Sequence, residues 1–248
     1  MLRRLAFGAA AAAAVLSVAP LSIVAQDPDA ATVPQFYFGI QGQYARPVGE
    51  FRDYVKHGGG LNVNFAWPVQ RGGAFALRAD GGFIVYGSET REVCFSQTVG
   101  CRIRLDLTTT NSIGYLNIGP QLMLPAGPVR PYINAAIGGS YFGTASSLDG
   151  VDGNDDDFAN TTNFDDITLA WAGGGGLLVS LSRGATPVLL DLGVRYHGNG
   201  EVEYLKKGDI QDNPDGSITI TPTRSQANLL TFQIGVQIGA SANRTENR

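Results

Sequence analysis

The chain has 248 residues and a formal net charge of −4, so it presents no basic footprint for nucleic acid. Charged residues make up 16%, below the roughly 25% of ordinary soluble domains, while glycine is abundant at 33 residues. Beyond the first 25 residues no apolar run approaches the roughly 18 that a membrane helix needs, so a membrane span in the mature chain would have to be built from strands.

The chain opens MLRRLAFGAAAAAAVLSVAPLSIVAQDPDA. Arg3 and Arg4 precede an Ala-rich apolar stretch from Leu5 to Val24, and small Ala25 precedes polar Gln26. This reads as a secretory signal peptide over residues 1–25, cleaved between Ala25 and Gln26, with a retained membrane helix as the competing reading. Without Arg3 and Arg4 there remain 16 basic against 22 acidic residues, a net charge of −6. The polar, Pro-flanked stretch 26–34 is a linker.

Eight segments of alternating polarity follow. QFYFGIQGQYAR sets Phe36, Phe38, Ile40 and Tyr44 against Tyr37, Gln41 and Gln43. GGLNVNFAWPV sets Leu61, Val63, Phe65 and Trp67 against Asn62 and Asn64. AFALRADGGFIVYG carries Arg78 and Asp80 on its polar face. SIGYLNIGPQLML, PYINAAIGGSYFG and ITLAWAGGGGLLVSLS continue the pattern. PVLLDLGVRYHG places Asp191, Arg195 and His197 opposite Leu190, Leu192 and Val194. The last segment alternates Leu230, Phe232, Ile234, Val236 and Ile238 with Thr231, Gln233, Gly235, Gln237 and Gly239. Period-two alternation of this kind marks a strand with one face in oil.

The connections run long, short, long, short, long, short, long; loops are expected over Ser88–Asp106, over the acidic stretch SLDGVDGNDDDFANTTNFDD, and from Gly198 to Gln226. A soluble calyx and a membrane barrel both alternate, but a membrane barrel has short turns at one end and long loops at the other. The polar faces carry few Lys or Glu and many Gln, Asn, Gly and Thr. Their sparse charges, Arg78 with Asp80 and Asp191 with Arg195, suit a packed polar lumen in which ions need partners. Aromatics near the strand ends (Phe36, Tyr37, Trp67, Tyr86, Tyr132, Tyr141) suit interfacial girdles. The expected fold is all-β, an eight-stranded antiparallel up-and-down transmembrane barrel over residues 35–241, with a C-terminal tail over 242–248.

The cysteines Cys94 and Cys101, in CFSQTVGC, read as a disulfide closing a short loop in a secreted chain. Metal binding is the competing reading, and no His lies nearby in sequence.

With this pattern the chain resembles the small eight-stranded outer-membrane barrels, the outer-membrane protein A-like or opacity-protein-like β-barrel domain family, over about Gln35 to Ser241. The barrel-assembly signal of that group reads polar, any, Gly, any, any, apolar, any, apolar or aromatic. Gln233, Gly235 and Ile238 match its first defined positions; Ala240 takes the last, where the family often has an aromatic, and the chain runs on through SANRTENR. The resemblance implies a bacterial outer-membrane location, a monomer, contact with outer-membrane lipid and lipopolysaccharide, and delivery by the barrel-assembly machinery.

No catalytic constellation emerges: His197 is followed by Gly198 and Asn199, and His57 has no Ser two residues on. The acidic loop fails the EF-hand pattern, since from Asp152 the Gly position holds Asp157 and the bidentate Glu position holds Asn163. No catalytic, metal or cofactor site is therefore expected. A structural or surface-interaction role follows, with a narrow conduit for small or apolar solutes as the alternative.

Overall fold

The computed structural model describes residues 34–70, 72–94, 104–150, 159–182, 186–213 and 217–240. Strand β1 (Phe36–Pro47) leads through the short helix α1 (Phe51–Tyr54) to β2 (Gly58–Pro68), β3 (Phe75–Cys94), β4 (Arg104–Met123), β5 (Val129–Gly150), β6 (Ala159–Ser180) and β7 (Val188–Asn199). Four short strands follow, β8 (Glu201–Tyr204), β9 (Ile210–Asp212), β10 (Ile218–Ile220) and β11 (Thr223–Gln226), and β12 (Leu229–Ala240) ends the described chain. The ring runs β1-β12-β7-β6-β5-β4-β3-β2 and closes antiparallel, with Phe36 opposite Ala240 and Pro47 opposite Leu229. Closure pairs every barrel strand on both sides and leaves no edge within the ring.

Alternation dictates which face looks out. Gln233 and Gln237 are buried inside the ring, whereas Ile234 between them is 61% exposed on its outside. The outer face carries Ile40, Val63, Phe83, Ile118, Ile137 and Leu169, all exposed. A water-soluble barrel with this exterior would face water with oil on every strand, far beyond the apolar patches monomers tolerate. In a bilayer the same belt is matched to acyl chains. None of the described helices is long and apolar enough to cross a membrane, and the span is made by the strands.

The aromatic girdle differs from the sequence reading. Phe36, Trp67 and Tyr141 face outward, but Tyr37, Tyr86 and Tyr132 are buried inside, because each shares the parity of its strand's lumen-facing residues. Phe36 stacks on Phe65 at 5.5 Å, and Trp171 lies 5.2 Å from Tyr196 on the outer surface.

A second difference lies above the belt. The stretches read as loops over 88–106 and 147–166 continue as paired strand up to Cys94 and from Arg104, and up to Gly150 and from Ala159. Strands β3 to β6 run 20, 20, 22 and 22 residues, against 11 or 12 for the other four barrel strands. The extensions are rich in Ser and Thr on both faces, so hydrophobic alternation fades although β-branched Thr favours extended backbone. Cross-strand pairs hold them: Thr90 and Thr108 hydroxyls at 2.9 Å, Thr109 and Ser146 at 2.8 Å, and Arg104 on Glu92 at 2.9 Å. Register shifts at Val85/Gly87 and Thr144/Ala145 sit where the wall leaves the belt. The connection after β7 likewise contains paired strands, β8 with β11 and β9 with β10.

Candidate functional site

The lumen is filled in three layers. At the end bearing the short turns, Tyr37, Ala66, Ala76, Met123, Leu178 and Leu189 pack as an apolar floor, joined by the Tyr132 ring. Above it lies a polar layer in which Arg78, Asp80, Asp191 and Arg195 are each at most 3% exposed. Arg78 donates from Nε to Asp80 Oδ1 at 2.9 Å and from Nη1 to Gln121 Oε1 at 2.9 Å, and its guanidinium lies 5.6 Å from the Tyr132 ring centre. The other Asp80 oxygen, Oδ2, faces Arg195 Nη1 at 2.6 Å, a charge contact outside linear hydrogen-bond geometry. Asp80 therefore serves two arginines.

Asp191 is held differently, by amides and a phenol. Its Oδ2 accepts from Gln41 Nε2 and Gln237 Nε2, both at 2.9 Å, and its Oδ1 accepts from the Tyr132 hydroxyl at 2.8 Å. Asp191 and Arg195 share a strand but do not pair with each other; Arg195 reaches Asp80 across the lumen instead. Four residues along a strand amount to about 13 Å, whereas Arg78 and Asp80, two apart, reach each other at 2.8 Å. Asn62 connects the two carboxylate sites, donating to Gln41 Oε1 at 2.7 Å and to Asp80 Oδ1 at 3.4 Å. The Tyr115 hydroxyl lies 2.8 Å from Asn62 Oδ1 and 3.0 Å from Gln43 Oε1. Tyr115, Gln121 and Gln237 are lumen residues by sequence parity, but which carboxylate each of Gln41, Asn62, Tyr132 and Gln237 serves escapes sequence reasoning, since only the closed ring brings them to one layer.

The third layer is an aromatic plug. Phe51 of α1 is fully buried, set edge-on to Tyr204 at 5.0 Å, Tyr86 at 5.5 Å and Phe142 at 6.4 Å. Its helix closes the end of the ring that bears the extended strands. His197 lies inside, its ring 4.9 Å from Tyr115 and its Nε2 3.3 Å from Thr231 Oγ1.

Beyond the plug, the inner faces of the β3–β6 wall, the segments 54–57 and 205–210, and Ile218 line a cleft of about 440 Å³. That volume falls in the range of small-molecule sites, roughly 300–1,000 Å³. Arg91 Nε and Lys207 Nζ both approach Glu89 Oε1, at 3.0 and 3.4 Å. The Arg91 hydrogen bond, aided by the charges of Arg91 and Lys207, holds the Glu89 carboxyl below the usual carboxylate range. Lys206 is tied to Asp209 at 2.6 Å and lies over the Tyr54 ring at 5.3 Å. His57 also lines the cleft.

Of the remaining sequence-derived positions, Gln233 points into the lumen and Ile238 into lipid. A Cβ at Gly235 would collide with the Ile40 carbonyl oxygen and Gln41 Cα, so β1 and β12 close the ring at this distance only over glycine. Cys94 ends β3. Cys101, the cleavage site Ala25–Gln26, the tail 242–248 and the centre of the acidic loop lie outside the described residues. At the inner edge of that loop, Asp166 Oδ2 accepts from the Glu203 backbone N–H at 2.8 Å and so fastens the β8 segment to the wall.

A closed ring of eight antiparallel strands with a filled interior that holds a buried charged layer, and with an apolar exterior, defines a transmembrane β-barrel of the small outer-membrane type. No protein-family model matches the chain, and no curated protein matches it in sequence. Among solved structures it is similar to Neisserial surface protein A (13% identity, 83% of this chain and 97% of that one, TM-score 0.44). It is also similar to Ail, the attachment invasion locus protein of Yersinia pestis (11%, 82% and 95%, TM-score 0.36). A major outer membrane protein from Thermus thermophilus matches comparably (11%, 82% and 98%, TM-score 0.38). These likenesses are architectural, and the membrane assignment stands on the ring closure and the outer belt of this chain.

Proposed function

We propose that this chain is a non-enzymatic barrel of the bacterial outer membrane that works as a monomer through its outer rim. The observation that carries this reading is the unequal strand length. Four adjacent strands outrun the other four by eight to eleven residues. Anchoring in a bilayer does not need that excess, which is on the order of 30 Å of wall. Together with the β8/β11 pair and the β9–β10 hairpin nested within it, the wall builds a cleft facing away from the lumen. In this reading the belt contacts outer-membrane lipid, the rim meets lipopolysaccharide, and the closing strand is handed over by the barrel-assembly machinery.

The alternative role, a narrow conduit, is disfavoured by Phe51 and the bridged Arg78–Asp80–Arg195 layer lying in series across the lumen. A membrane-impermeant amine reagent applied to intact cells tests the orientation: Lys207 and Lys56 are modified, as found by peptide mapping. Protection of both on intact cells, with modification only after the membrane is breached, contradicts display at the cell surface.

A further inference from the structure

We infer that the rim cleft binds a single-chain anionic amphiphile, an alkyl or acyl chain ending in a carboxylate or phosphate, taken from the aqueous side. The inference rests on the outward-facing rim proposed above and names its ligand.

The walls of the cleft are mixed in a specific way. Arg91 and Leu107 are directly opposite each other on β3 and β4, and Val93 follows two residues further up the inner face. Ile210 and Ile218, from the β9–β10 hairpin, complete an apolar lining, and Ile218 is 55% exposed. The outer face of the β3–β4 hairpin, by parity, carries Thr90, Glu92, Arg104, Asp106, Thr108 and Thr110, all polar or charged. A β3–β4 hairpin solvated on both sides has no reason to turn Leu107 and Val93 to the one face that Ile210 and Ile218 also meet, so that face is built to meet something.

The charge of the cleft runs against that of the chain. The protein carries a net −4, yet among the described residues the cleft is lined by Lys56, Arg91, Lys206 and Lys207 against a single carboxylate, Glu89. Asp209 offsets Lys206, but Arg91 and Lys207 converge on one oxygen of Glu89. Lys56 Nζ donates toward the Arg52 carbonyl oxygen, at 3.3 Å, which offsets no charge. One anionic head placed between Arg91 and Lys207 balances that excess. A bare inorganic anion would leave the Leu107, Val93 and Ile210 surface in water, and a neutral chain would leave the cations unmatched. The cleft lies among the strand extensions, above the lipid-facing belt, so entry is from solution and not by lateral diffusion out of the leaflet.

The test uses the full-length mature barrel in nanodiscs of zwitterionic lipid. Octanoate and octyl phosphate are titrated against octanol and inorganic phosphate, with binding followed by calorimetry and ligand-observed NMR. Octanoate and octyl phosphate are expected to bind saturably at one site, about tenfold more tightly than octanol or inorganic phosphate. Arg91→Gln combined with Lys207→Gln is expected to remove that tenfold advantage and to leave octanol unchanged, and Leu107→Asn to weaken octanoate and octanol together. Retained heat-modifiable gel mobility certifies that each variant is folded. Unaltered octanoate binding in the double variant overturns the inference. So does inorganic phosphate binding as tightly as octyl phosphate, or octanol as tightly as octanoate. A phospholipid or lipid A molecule that co-purifies at one per barrel and resists octanoate overturns entry from solution. Failure of binding while Lys207 is labelled on intact cells rejects this ligand class alone; failure of that labelling rejects the surface reading beneath it.

Discussion

Arg195 on β7 reaches across the lumen to Asp80 on β3, Nη1 to Oδ2 at 2.6 Å, while Asp191 on its own strand is held by amides and a phenol. The polar layer thus contains two carboxylate sites of different character. Asp80 is the sole carboxylate in contact with two buried guanidinium groups among the described residues, and Asp191 is a hydrogen-bonded anion.

The two carboxylates should therefore differ in what their loss costs. Asp80→Ala leaves two buried cations without their carboxylate and is expected to lower the unfolding free energy in urea by about 3–5 kcal/mol. Asp191→Asn keeps the shape and part of the hydrogen bonding and is expected to cost about 1–3 kcal/mol. Equal costs for the two would mean that Asp80 does not bridge the arginines.

The outer face gives an independent expectation. Ile234→Arg puts a charge into lipid on β12 and is expected to cost roughly 2–4 kcal/mol at mid-depth. Reversible urea unfolding from lipid vesicles measures it. A silent Ile234→Arg beside a severe Gln233→Leu would place the core where lipid is drawn here.

Phe51 closes the end that bears the extended strands, but the charged layer and the apolar floor lie below it. Phe51→Ala is expected to cost about 3–5 kcal/mol, as for other buried Phe truncations, and still to give no steady current in planar bilayers. A sustained conductance in this variant would show that the plug alone seals the lumen.

Cys94, which ends β3, is expected to form a disulfide with Cys101. In unreduced, denatured protein neither thiol should take up an alkylating reagent, and both should do so after reduction. Alkylation of both before reduction contradicts the pairing.

How far the sequence reaches can be seen strand by strand. Ile234 outward and Gln233 inward follow from period-two alternation, because lipid on one side and lumen on the other impose opposite chemistry along the whole strand. The upper halves of β3 to β6 escape that logic: Thr90 and Thr108 lie outside the wall, and Glu89, Arg91 and Thr109 are interleaved with Leu107 and Val93 inside it, so the polarity contrast is too weak to mark them as strand. The inner face on which Arg78, Asp80, Asp191 and Arg195 lie is a matter of parity, but their partners are not. Gln41 and Asp191 meet from positions 150 residues apart, a distance that only the closed ring removes. The tyrosines misread as girdle show the same limit, since Tyr132 belongs to the Asp191 site and not to the interface.

The central claim is that the apolar face of this barrel lies against lipid. The chain has two tryptophans, Trp67 and Trp171, 60% and 55% exposed on that face. Protein folded into vesicles whose acyl chains carry bromine should lose most of its tryptophan fluorescence, while aqueous iodide leaves it nearly unchanged. Fluorescence that iodide quenches and brominated chains do not would place both tryptophans in water and contradict a membrane-spanning barrel.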